Sequence, residues 1–150
     1  MVYPEPQSKF LLKTSCASAI SAAYAIHRGY YGMALVPGGV FITSLNYWRN
    51  PRYDSWERTL DITYVHGALA YQLFRAYGAQ YATLHYITIA ISVACYLLSN
   101  RYLRTDQIWL STYLHAMLHI IANIACIILY SGHIPPSFKN RPTPGPTPEF

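Results

Sequence analysis

Apolar residues fall in five long runs separated by short polar turns, and the length of each run favours helices over strands. The runs cover residues 10–27, 30–48, 56–77, 80–100 and 105–130. The first is rich in serine and alanine, which lets helix backbones approach closely. The second holds Pro37, Gly38 and Gly39, which should kink or loosen it unless neighbouring helices take up the freed carbonyls. Asp54, Ser55, Trp56 and Glu57 have the form of a capping box, so a helix should start there. Gly78 is placed to end that helix, and Gly132, Pro135 and Pro136 to stop the last one. This pattern predicts an all-α, polytopic transmembrane helix bundle over residues 10–131. It has five spans, or four if the first run lies in the membrane interface. Residues 1–9 read as an N-terminal tail, and residues 132–150 as an extended Pro-rich tail.

Composition agrees with lipid as the solvent. The chain is 53% hydrophobic and only 11% charged, and its 15 tyrosines suit a bilayer interface. The net charge of +5 forms no basic, aromatic-interleaved face, which argues against nucleic acid as a partner. With five spans, Lys9, Lys13, Arg49, Arg52, Arg58, Arg101 and Arg104 fall on one side, and Arg28, Arg75, Lys139 and Arg141 on the other. That imbalance places the N-terminus on the cytoplasmic or matrix-like side. Arg49, Arg52, Arg58, Arg101 and Arg104, with Trp48, Tyr53, Trp56, Tyr102 and Trp109 nearby, are expected to contact lipid headgroups. The opening stretch has neither an Arg-rich amphipathic pattern nor a charged n-region, so targeting is expected to reside in the spans. Cys16, Cys95 and Cys126 each lie within a run and are expected to be small buried hydrophobes, with no disulfide framework.

Polar residues inside the runs carry the candidate chemistry, because they are costly in lipid and normally face a bundle interior. Ser111, His115, His119 and Asn123 recur every four residues along one face of the fifth helix. His85, Thr88, Ser92 and Ser99 form a second stripe on the fourth, and the two stripes should face each other. His66 and His115 lie at one depth, roughly 15 Å in at 1.5 Å per residue, with His85 and His119 one level deeper. His66, His85, Ser92, Ser111, His115, His119 and Asn123 therefore form an expected polar core. Two further readings stay open for the imidazoles: a metal site at His115 and His119, or haem b held by two facing histidines. Asp61, one turn into its helix, needs a partner such as Arg58 or Tyr64, and the helix N-terminus also favours its charge.

Ser44, Asp61 and the pair His115 and His119 occur in the order found in the alkaline ceramidase and adiponectin-receptor-like membrane hydrolases, which the chain resembles over these short motifs. The resemblance implies zinc on the histidines, with Asp61 and Ser44 attending the metal-bound water. The family also has a histidine four residues after the serine, where this chain has Trp48. The expected function is non-catalytic: an accessory or assembly subunit of a larger membrane complex, contacting lipids and other transmembrane subunits, in the mitochondrial inner membrane. The alternatives are a metal-dependent lipid amide or ester hydrolase, and a small transporter or haem-binding anchor.

Overall fold

The computed structural model describes residues 3–136, and among them the chain is all helical, with no strand. The helices are α1 (Glu5–Ser15), α2 (Ala17–His27), α3 (Tyr31–Trp48), α4 (Trp56–Ala76), α5 (Ala82–Arg104) and α6 (Ile108–Ser131). Lys139 and Arg141, and most of the Pro-rich segment, lie outside the described residues.

Five sequence expectations change in detail. The first helix starts at Glu5, inside the stretch read as tail, because Pro4 and Pro6 at its first turn give up no hydrogen bond there. It also breaks at Cys16. Thr14 and Ser15 both donate side-chain bonds to the Leu11 carbonyl, at 3.0 and 2.9 Å, and such back-bonding bends a helix. Cys16 itself is exposed rather than buried. The cap of α4 is Ser55, not Asp54: its hydroxyl accepts the Arg58 amide at 3.2 Å. Residues 133–134 are not free of the bundle, since the Gln80 amide donates to the His133 carbonyl at 2.9 Å and Ile134 is buried. Gly78 ends α4 as expected, with φ at +76°, a conformation that side chains disfavour.

Taking α1 and α2 as one bent rod, five rods alternate in direction. The Tyr3 hydroxyl lies 3.1 Å from Ser99 Oγ and 2.6 Å from Ser111 Oγ, and its ring meets Trp48 edge-on. That contact joins the start of α1 to the ends of α3 and α5 and the start of α6. At the opposite end, Tyr30 donates to the Gly132 carbonyl at 2.8 Å and Arg28 to the Ser131 carbonyl at 3.0 Å. The rods form an open row: α5 on α6, α6 on α1 and α2, these on α3, and α3 on α4. Between α4 and α5 contact is slight; the Tyr86 hydroxyl donates to the Leu73 carbonyl at 3.0 Å near their connecting turn. Toward the other end the two helices diverge and leave a seam.

The interior mixes polar side chains with an apolar core that includes Leu11, Leu129 and Tyr130. Ser15, Ser21, Ser44, Ser92, Ser99, Ser111, Thr112 and His85 are fully buried, whereas Ile20, Leu35, Ile42, Ile87, Ile91 and Leu97 face outward. The helices α5 and α6 are long and apolar enough to cross a membrane.

The Pro37 break is accommodated by neighbours. Proline removes the amide that would serve the Met33 carbonyl, and Tyr130 of α6 donates its hydroxyl to that carbonyl at 3.3 Å. Tyr64 of α4 donates to the Leu35 carbonyl at 2.6 Å, and its ring lies directly over Gly39, where a Cβ would collide with it. Gly39→Ala is therefore expected to cost about 1–3 kcal/mol by overpacking. Thermal unfolding in detergent measures this, and much of the cost should disappear in a background that carries Tyr64→Ala.

Candidate functional site

The divergence of α4 from α5 encloses a cavity of about 640 Å³, walled by α3, α4, α5 and α6. Ile62, Val65, Leu69, Ile89, Val93 and Leu118 supply apolar walls, and Ser44, Asp61, Gln72, Ser92, His115 and His119 interrupt them. The size, and the few polar groups in an apolar lining, are those of a small-molecule site.

The structure brings Ser44 and Asp61 together. Thr43 and Ser44 both donate to Asp61 Oδ1, at 2.7 and 2.8 Å. Asp61 thus takes its partners from α3, not from Arg58 or Tyr64. Ser44 was legible as a candidate; Thr43 was not, although adjacent helix positions 100° apart straddle a side chain on the facing helix.

The stripe on α6 divides among three neighbours. Ser111 donates to the Ser99 carbonyl of α5 at 2.8 Å. Asn123 turns instead to α2: it accepts from Ser21 at 2.7 Å and donates to Ser18 at 3.2 Å. His115 and His119 line the cavity with ring centroids 5.2 Å apart. Around His115 stand Tyr3 at 6.0 Å, Trp48 at 5.3 Å and Tyr96 at 6.1 Å, all edge-on. His115 Nδ1 and His119 Nε2 find no hydrogen-bond partner among the described residues.

The other expected core residues are placed differently. His85 is fully buried, with Nδ1 2.9 Å from the Ala125 carbonyl, and does not line the cavity opposite His119. Ser92 bonds within α5, to the Ile89 carbonyl at 2.8 Å. His66 is exposed at the edge of the α4 wall rather than buried, with Nδ1 2.7 Å from the Ile62 carbonyl. It stands on α4 where that helix barely touches α5, so α5 does not cover its ring. Arg58 and Arg104 both reach the cavity at its seam end, while Arg49, Arg52 and Arg101 stay exposed. Sequence reasoning missed Tyr3, which had been assigned to the tail, and the Gln72–Cys126 contact of 3.1 Å at the deep end of the cavity.

Among the described residues, no group of three or more His, Cys, Asp and Glu side chains stands close enough to hold a metal ion. A zinc site needs three firm protein ligands for catalysis, and the indole of Trp48 occupies the place beside His115. The residues present do not fit zinc. Comparison with protein-family models, curated proteins and solved structures finds no match for this chain.

The Ser44–Asp61 bond is the polar link between α3 and α4 that the fold relies on at this end. A double-mutant cycle of Ser44→Ala and Asp61→Asn, followed by thermal unfolding, should give a coupling of about 1–2 kcal/mol. Additive effects of the two changes would contradict the bond.

Proposed function

We propose that the chain is a multi-pass membrane protein whose five rods all cross the bilayer, and that it serves without catalysis as an accessory or assembly subunit of a larger membrane complex. The number of buried polar groups carries this reading: hydroxyls, His85, His119 and Asn123 are buried among Leu11, Leu129 and Tyr130, while Ile20, Leu35, Ile42, Ile87 and Leu97 face outward, an arrangement that suits lipid. The helices α3 to α6 hold 18, 21, 23 and 24 residues. At about 1.5 Å per residue, such lengths suit a hydrocarbon core of about 30 Å. Arg49, Arg52, Arg58, Arg101 and Arg104 then gather at one surface, with Arg28 and Arg75 at the other, and the mitochondrial inner membrane suits such a chain.

The subunit role draws support from α4. Its outward face sets Thr59, Thr63, His66, Gly67 and Ala70 among the exposed Leu60, Tyr71 and Phe74, and small or polar residues of that kind let a neighbouring helix approach closely. A side chain added at Gly67 meets nothing within 4 Å. A photo-crosslinking residue there should give one discrete protein adduct in native membranes, and the same group at Ile91 on α5 should give lipid adducts alone. Lipid adducts alone at both positions, with a lone monomer in mild detergent, would contradict the subunit role.

A metal-dependent lipid hydrolase stands second, favoured by Ser44, Asp61, His115 and His119 lining one cavity. Elemental analysis separates the two readings. The subunit reading expects no stoichiometric zinc in the wild-type protein; zinc that is lost on His115→Ala would promote the hydrolase.

A further inference from the structure

The cavity has an unusual combination of features: an apolar interior, an opening toward the membrane, and cationic groups at its mouth. Arg58 stands at the start of α4 and Arg104 at the end of α5, so the two guanidinium groups flank the seam where the helices diverge. Arg58 stacks over the Tyr53 ring at 4.6 Å and also meets the Tyr47 hydroxyl, which holds it at the cavity mouth and leaves part of its five-donor fork for a ligand. Neither arginine has a carboxylate partner: among the described residues, the ion pair present is Lys9 with Glu5. Arg101 and Arg104 also line a smaller adjoining cleft, which adds to the positive field at this end.

Depth is the second constraint. The α4 wall from Arg58 to Gln72 extends about 20 Å at 1.5 Å per residue, slightly more than one leaflet of a hydrocarbon core of about 30 Å. Val65, Leu69, Val93 and Leu118 line that length. Midway down, Tyr96 and His115 line the cavity below the arginines.

We infer that this cavity binds one anionic phospholipid of the surrounding leaflet. One acyl chain enters laterally between α4 and α5, and Arg58 and Arg104 hold the phosphate. The guanidinium fork matches a phosphate oxygen pair, and the positive mouth discriminates against lipids whose headgroup carries its own cation. The inference rests on the membrane reading above and adds a specific ligand to it.

Trp48 reports on the site, because its indole lines the cavity and is 4% exposed, whereas Trp109 faces outward. The test uses the full chain with Trp48 as its sole tryptophan (Trp56→Phe, Trp109→Phe) in vesicles of phosphatidylcholine doped with brominated lipid. Brominated phosphatidylglycerol should quench Trp48 several-fold more strongly than brominated phosphatidylcholine at equal mole fraction. Arg58→Gln with Arg104→Gln should abolish that difference without touching the interior. Ala122→Phe, which fills the cavity from α6, should remove quenching by both lipids. Equal quenching by the two lipids in the wild-type background would overturn the anionic preference, and no quenching by either would overturn chain entry. A companion chain with Trp109 alone separates the two levels of the account. Trp109 quenched while Trp48 is not sinks only the lipid site; neither quenched sinks the membrane reading itself.

Discussion

Pro37 takes one amide out of the α3 ladder, and Tyr130 from α6 and Tyr64 from α4 place hydroxyls on the Met33 and Leu35 carbonyls in the turn before it. The same constraint recurs through the molecule. A buried polar group gains most from a partner within the protein, and where that partner stands on another helix the bond ties the two together. Asn123 ties α6 to α2, Ser111 ties α6 to α5, and Asp61 ties α4 to α3. In the membrane setting proposed above, apolar packing alone gives little reason for helices to associate, and these links with the small residues around them would set the order of the rods.

The hydrophobic runs made the helices and most of their turns legible, because length and turn residues leave few alternatives for such segments. What they did not show was pairing. Strict four-residue spacing put Ser111, His115, His119 and Asn123 on one face, yet a helix surrounded by three neighbours shares one stripe among them. Asn123 therefore faces α2 and Ser111 faces α5, while the imidazoles between them face the cavity. Tyr3 was invisible for a related reason. It lies before the first apolar run, and only the tertiary arrangement brings its hydroxyl onto Ser99 and Ser111. Ser44 and Asp61 were legible in the candidate site because each is a costly residue near the same end of adjacent helices.

The seam between α4 and α5 follows from the same accounting. Bonds join α5 to α6 and α4 to α3, and among the described residues one tyrosine bond near the turn joins α4 to α5. With nothing to draw the far ends together, the helices splay and enclose a space whose walls are mostly apolar. Arg58 and Arg104 at that opening keep the mouth positive, and Asp61, a turn deeper, is already committed to two hydroxyls.

In the proposed arrangement the polar sides of five rods face inward while lipid surrounds the rest. Single cysteines placed in the turns at 49–55 and 105–107, and in those at 28–30 and 77–81, test it with a membrane-impermeant maleimide on sealed vesicles. The first two turns should label from one face only and the last two from the opposite face only. Labelling of all four from a single face, or release of the protein into water without detergent, would contradict it.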